Sequence, residues 1–472
     1  MLGQELCRCY GDGRTPYVAA DVKPMATRMT QLSLLDPGPS QSAMNRDAAT
    51  QGPVERRVRE NKIHVTRSTF KAGLEAPVHR WFRLTPSFGP DLVQHILLKT
   101  EAQREDVVLD PFCGAGTTGI ECKGAGRPFF GFEINPFLHF VGVTSLRWEL
   151  DPLALNADLT HIEHEFCASQ RKFENVEVES TGMTIPPIHN VFRWWRKDVL
   201  KDMLCVKRAI EHSCSKRAAA RDFFRLALAG VLVPDLTNVT LGRLQLHFVD
   251  KSKTPMDAWT TFRNHARAMI SDITGLQDQR DRPAAVVYHT DATAPEVKEQ
   301  RRARVVITSP PYPNRYSYVW NTRPHLYMLD FMRDAKEAST LDKATIGGTW
   351  GTATSILAKG EYRPEHASVS KIIGEVADRI RPSDNLMANY VLKYFDRLAA
   401  QIVAMEPHIT DDARVAYVVG NSTIKDVYVE TDVLLGKVFE SFGYRVTEVE
   451  RFRRRNSGAD LFESTVYAHK KG

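Results

Sequence analysis

Residues 308–312 read Thr308-Ser309-Pro310-Pro311-Tyr312 and follow directly on the run Arg304-Val305-Val306-Ile307. Two successive prolines fix φ and remove two backbone N–H donors. A ligand at this strand mouth therefore meets acceptors: the Ser309 hydroxyl and main-chain carbonyls, that of Pro310 among them. An amino group has protons to give to such acceptors, and Tyr312 adds a flat face for stacking. These residue types at this spacing suit a planar ring bearing an exocyclic NH₂, such as cytosine or adenine. The same pentapeptide could also simply close a buried strand, and the rest of the chain has to decide between the two readings.

A second group of chemistry-bearing residues lies upstream. Asp110-Pro111-Phe112-Cys113-Gly114-Ala115-Gly116-Thr117-Thr118-Gly119 satisfies GxGxxG between a strand and a helix, and Glu133 ends the next strand. Glycines let the backbone approach a cofactor, and the acid accepts from ribose hydroxyls. NAD and S-adenosylmethionine both use this arrangement, so an NAD-dependent oxidoreductase is one reading. Three features favour S-adenosylmethionine. Asp110 puts a carboxylate at the strand tip, which suits a cationic amino-acid moiety and repels a pyrophosphate. Asp291, in "YHTDAT", follows a third strand and is placed to accept from an adenine amino group. The Ser-Pro-Pro-Tyr mouth has no part in hydride transfer.

Hydrophobic periodicity supplies the elements that must position these residues. Strands are expected at 107–109, 129–132, 285–288, 305–307 and 415–419, with a closing antiparallel edge hairpin over 444–450 and 464–468. An amphipathic helix carrying Leu92, Ile96 and Leu97 precedes the first strand, and the strand–helix–strand spacing that follows is that of a βαβ crossover. A helix with apolar residues at 433, 434, 438, 439 and 442 stops at Gly443. Thr117 and Thr118 are expected to cap the helix after the Gly-rich turn.

Residues 1–55 are rich in Pro, Gly, Ser and Gln without periodicity and read as a flexible tail, in which Met25 and Met29 are alternative starts. Residues 56–145, 284–324 and 401–472 form the catalytic domain. A mainly helical insertion occupies 146–283 and is the candidate target-recognition region; a second occupies 325–400, near the catalytic mouth. "VFRWWRK" (Phe192–Lys197) in the first insertion mixes aromatic and basic residues.

Composition bounds the class. The 472 residues are 43% hydrophobic and 25% charged, with net charge +6, which is ordinary for a globular protein and permissive for nucleic acid. No segment is long and apolar enough to span a membrane, and the expected location is cytoplasmic. The seven cysteines are scattered and form no CxxC pair. His161-x-x-His164-x-x-Cys167 lies in a charged helical stretch without a fourth ligand nearby and reads as a helix face, so no metal is expected.

Together, "DPFCGAGTTG", "GFEINP", "HTDA" and "TSPPY" resemble the S-adenosylmethionine-dependent DNA amino-methyltransferases, the Ser-Pro-Pro-Tyr version looking most like the cytosine-N4 subgroup. Asp- or Asn-Pro-Pro-Tyr is commoner in the adenine-N6 enzymes. The resemblance covers about 77–145 and 284–325, and more loosely 410–472. It implies an α/β, Rossmann-like seven-stranded sheet with its last strand antiparallel. It also implies that Asp110, Phe112, Gly114 and Gly116 surround the methionine part of the cofactor, that Glu133 binds the ribose and Asp291 the adenine, and that Thr85 lines the pocket. Ser309, Pro310, Pro311 and Tyr312 would be catalytic. The partner would be double-stranded DNA, with a cognate restriction or defence protein as a further possibility. Asn314, Arg315 and Tyr316, and Arg453 and Arg454 near the hairpin, would then meet the DNA. The order of motifs, cofactor first and catalysis second, is the reverse of that common in Ser-Pro-Pro-Tyr enzymes, and an RNA amino-methyltransferase shares the Pro-Pro-Tyr geometry.

Overall fold

A computed structural model describes residues 52–61, 68–242, 245–313, 316–347, 357–358, 360–455 and 461–471. Eight strands form its main sheet: β1 (Val58–Glu60), β2 (Val108–Asp110), β3 (Phe129–Glu133), β4 (Ala285–His289), β5 (Ala303–Thr308), β6 (Ile409–Gly420), β7 (Tyr444–Arg454) and β8 (Phe462–Lys470). Their spatial order is β1-β7-β8-β6-β5-β2-β3-β4. β4, β3, β2, β5 and β6 run parallel, and β8 is antiparallel to both β6 and β7. Phe129, Phe130 and Phe132, and Val305, Val306 and Ile307, are fully buried, as strands covered on both faces require.

The topology determines where chemistry can happen. From β2 the chain steps outward through β3 to β4, then returns to the other side of β2 as β5. Ligands bind at such a reversal, in the crevice beyond the carboxyl ends of the strands. Asp110, Glu133 and Thr308 are the last residues of β2, β3 and β5, and Asp291 lies two residues past the end of β4. Register therefore brings all four motifs to one edge.

The longer helices follow in order: α1 (Pro90–Lys99), α2 (Thr117–Gly124), α3 (Pro136–Ser145), α4 (Pro152–Lys172), α5 (Lys197–Ser213), α6 (Ala218–Leu232), α7 (Ala258–Gly275), α8 (Tyr318–Met328), α9 (Ala335–Ala344), α10 (Ala367–Ile380), α11 (Asn385–Ala404) and α12 (Thr431–Ser441). α4 to α7 fill the first insertion with a two-stranded ribbon, Val239–Leu241 and Leu246–Phe248. Local chemistry starts two of these helices. Asn135 caps α3 by accepting from Phe137 N and Leu138 N, and Asp151 caps α4 by accepting from Leu153 N; each is followed by a proline at the first helical position. Among the described residues no helix is long and apolar enough to cross a membrane.

Three expectations are corrected. The sheet has eight strands, because Val58–Glu60 adds in parallel to Val449–Arg451. Its three residues are too short and too polar to register as a strand by periodicity. β8 lies between β7 and β6, and β1 pairs with β7 over Val449–Arg451, so the hairpin is not the margin of the sheet. Residues 52–55, assigned to the tail, belong to the fold: Val54 is buried in the core, and a Cβ on Gly436 of α12 would come within 2.7 Å of it. Finally, Thr118 does not cap α2. Gly116, at φ 91°, is the N-cap without a side-chain bond, and the Thr118 hydroxyl turns back to Asp110.

Candidate active site

At the carboxyl edge a cavity opens to solvent. Its walls come from five segments: Leu84 with 86–88, 110–115, 132–135, 290–292, and Ser309 with Pro311. Asp110 is buried at its floor. One oxygen accepts from Phe112 N (3.0 Å) and Thr308 Oγ1 (2.5 Å), and the other from Thr118 Oγ1 (2.6 Å). Burial nonetheless lifts its pKa to about 6, against the pull of those three donors. The carboxylate so tied stitches β2, β5 and α2 together beneath the Gly-rich turn.

Glu133 faces the same cavity. Its two oxygens accept from Gly114 N and Asn135 N, each at 2.8 Å, and burial raises its pKa to about 7. Gly114 at φ 54° and Gly116 at φ 91° occupy the left-handed region that only glycine adopts freely. A Cβ on Gly116 would stand 3.3 Å from Gly142 Cα on α3, so the turn packs as closely as its sequence permits.

Asp291 lines the cavity at the β4 side. One oxygen accepts from Thr293 N and Oγ1, both at 2.8 Å, and the other from Arg397 Nη2 at 3.1 Å. Ser309 and Pro311 open onto the cavity from β5. The Tyr312 hydroxyl is hydrogen-bonded to Ser309, and burial raises its pKa far above the usual phenol value. The Tyr312 ring lies against Gly420 at the end of β6 and under the Arg455 guanidinium, 5.8 Å from the ring centre. Arg455 Nη1 donates to Asn421 O at 2.9 Å, which fixes it there.

Some expected site residues are placed differently. Thr85 lies between wall residues but is not itself part of the lining, and its hydroxyl is buried without a hydrogen-bond partner among the described residues. Pro310 is buried behind the mouth. Tyr316 is buried and packs edge-on against Tyr318, with centroids 5.0 Å apart. Arg453 donates to Glu463 across the hairpin at 2.9 Å, and Arg454 lies 3.7 Å from Glu60. Both arginines thus have carboxylate neighbours within the fold. Asn314 and Arg315 lie outside the described residues.

Several residues of the cavity escaped the sequence reading. Ala344, Thr345 and Ile346, at the end of α9, also line it, and Arg397 on α11 holds Asp291. All four belong to the second insertion and carry no motif. Only contact in three dimensions reveals them.

Cavity and sheet together define a Rossmann-like α/β fold whose strand tips line one cavity. Residues 56–140 match the family described as DNA methylase, of the N6/N4 type. Over longer spans the chain is similar to "Type II methyltransferase M.BsoBI" of Geobacillus stearothermophilus, 20% identical over 454 residues, covering 85% of this chain and 87% of that protein. "Type II methyltransferase M.MvaI" of Kocuria varians is 20% identical over 394 residues, covering 80% and 84%. "Type II methyltransferase M.Cfr9I" of Citrobacter freundii is 35% identical over 63 residues, 13% of this chain and 21% of that protein.

The methyl donor of such a family is in general S-adenosylmethionine, and the residues present fit it. Gly114 lines the cavity, whereas Gly116 does not and packs against Gly142 of α3; Glu133 and Asp291 stand as acceptors on successive strand ends.

Proposed function

We propose that this protein is a type II DNA methyltransferase that methylates the exocyclic amino nitrogen of a flipped base, cytosine-N4 in the first instance and adenine-N6 in the second, in a modification or defence role. One observation carries the reading: Ser309 and Pro311 open onto the cavity that Asp110, Glu133 and Asp291 line. Acceptors for an amine and acceptors for a nucleoside cofactor share one space. The serine in place of an acidic or amide residue is what favours cytosine.

The fold's residues suggest how the site would work. Glu133 would accept from the ribose hydroxyls, Asp291 from the adenine amine, and the 110–116 turn would enclose the amino-acid end. Bound S-adenosylmethionine supplies a methyl group already activated on a sulfonium. An aromatic amine is a poor nucleophile because its lone pair is spread into the ring. With its own proton given to the Tyr312 oxygen, Ser309 accepts one amine N–H while the Pro310 carbonyl accepts the other. The nitrogen becomes pyramidal and its lone pair is localised for in-line attack. Transfer would form the carbon–nitrogen bond as the donor's carbon–sulfur bond gave way, and the amine proton would leave to water. Position and electrostatics are the protein's contribution.

An amine inside a stacked duplex is out of reach, so the base must leave the helix, and Tyr312 is the ring on which it stacks. Tyr312→Ala is expected to abolish methyl transfer to duplex DNA while cofactor affinity, read by calorimetry, changes little. Loss of cofactor binding in a folded Tyr312→Ala protein would show that the site is misassigned.

A further inference from the structure

The arginines expected to meet DNA from the hairpin have carboxylates beside them, which raises the question of which cations are free to do so. On the first insertion several are paired with carboxylates: Arg196 with Asp198, Lys197 with Glu179, Lys207 with Asp330 and Arg217 with Asp158. Two arginines near the mouth differ. Arg193 and Arg323 have no carboxylate within ion-pair distance among the described residues, and each sits over an aromatic ring instead. Arg193 Cζ is 4.0 Å from the centre of Phe248, and Arg323 Cζ is 4.6 Å from that of Trp320.

The two rings are joined through a third. Trp194 packs edge-on against Phe248 at 4.9 Å and against Trp320 at 6.4 Å. The ladder Arg193–Phe248–Trp194–Trp320–Arg323 therefore runs from the first insertion and its ribbon to α8. That helix begins at Tyr318, which lines the cavity. Trp320 and Arg323 lie roughly 140–200° around α8 from Tyr318, which puts the ladder about one helix width, ~10 Å, from the mouth. A guanidinium over a ring uses only its face. Its N–H groups radiate in the plane, where they match the oxygens of a phosphate; Arg323 Nε is buried, which leaves the two terminal nitrogens of that side chain for the contact.

We propose that this ladder is a DNA-backbone contact surface, on which Arg193 and Arg323 each donate to a phosphate of the duplex flanking the flipped base. The proposal rests on the functional reading above, since it takes duplex DNA as the substrate of the neighbouring cavity. It adds which surface carries the strand and ties the first insertion to the helix that follows the catalytic loop. The aromatic rungs hold the guanidinia without neutralising them.

Backbone contact is independent of sequence and scales with salt, so a recognition site need not be known. Each phosphate contact contributes about 0.9 to the slope of log K against log salt concentration. The test is fluorescence anisotropy of a labelled 30-mer duplex across a sodium chloride series. The R193Q/R323Q double variant is expected to lose about 1.8 from the magnitude of the wild-type slope, at two such contacts. R193K/R323K, which keeps both charges, should hold the slope. R445Q, at the amino-terminal end of β7 and so at the opposite edge of the sheet, is expected to leave it unchanged. Arg193 is exposed, so R193Q alone is expected to keep the fold, checked by circular dichroism, and to remove about 0.9. A wild-type slope retained in R193Q and in the double variant overturns the proposal while leaving the functional reading intact. Absence of any duplex binding by the wild-type protein overturns both.

Discussion

At the scale of single residues the site turns on two carboxylates that burial has made reluctant to ionise. Glu133 has its pKa raised to about 7 and Asp110 to about 6. A raised carboxylate pKa means the folded apo-protein favours the neutral acid. The stability this contributes is full near pH 4 and fades as pH rises through 6 to 7. Binding follows the opposite sign, because an ionised Glu133 is the better acceptor for ribose hydroxyls. Cofactor affinity is therefore expected to rise between pH 6 and pH 8, and Glu133→Gln should flatten that profile in calorimetric titrations; an unchanged profile would remove Glu133 from the ribose. Gly420 offers a second check. A Cβ there would come within 2.9 Å of Tyr312 Cδ2 and Cε2. Gly420→Ala should tilt the ring and lower turnover roughly 10- to 100-fold with cofactor affinity unchanged. The motif residues were legible in the sequence because glycine, proline and carboxylate each answer a distinct local demand. Gly420 was not, since only the approach of β6 to the Tyr312 ring gives it a role; Arg455 reads in sequence as one of a basic cluster, and its place over that ring appears only in the fold.

Among the elements, the sheet was largely readable and its margins were not. Apolar runs such as Val305–Ile307 can only be buried strands in this setting, and Gly443 at φ 84° ends α12 where the pattern stops. β1 was hidden because pairing with β7, and not its own residues, makes it a strand. The same margin holds a buried carboxylate. Glu450 on β7 accepts from Asn61 Nδ2 (2.6 Å), His95 Nε2 (3.1 Å) and Tyr467 Oη (3.0 Å), with Lys99 Nζ also at 3.0 Å. These donors outweigh the cost of its burial and draw its pKa down to about 2. Its stabilising contribution is thus present above the ordinary glutamate pKa and is lost as pH falls toward 2. Glu450 clamps β7, β8, α1 and the segment after β1. Glu450→Ala should cost about 3–5 kcal/mol in urea unfolding at pH 7, because it strands buried partners. A loss under 1 kcal/mol would show that the clamp is replaceable.

For the molecule as a whole, the insertions prove to be parts of the site's frame. Asp272 on α7 accepts from Val78 N (3.1 Å), Arg80 Nε (3.0 Å) and Trp81 Nε1 (2.9 Å), and so anchors the segment that leads into the wall 84–88. Asp272→Ala lies far along the chain from every motif, yet it should destabilise the fold by about 3 kcal/mol and weaken cofactor binding. Saturating cofactor at about 100 times its Kd should restore up to ~2.7 kcal/mol relative to the apo variant. Unchanged unfolding in Asp272→Ala would detach the first insertion from the cofactor wall. Composition could mark these segments as helical but not as supports, because their partners lie nearly two hundred residues away. The central claim, that this frame delivers a methyl group to an exocyclic amine of DNA, has a direct measurement. Purified protein is incubated with duplex DNA and S-adenosylmethionine labelled in its methyl group, and the DNA is digested to nucleosides. The label is predicted on N4-methylcytidine as the deoxynucleoside; on N6-methyladenine it would keep the chemistry and change the base. Label on a ring carbon, or on RNA alone, would contradict the account.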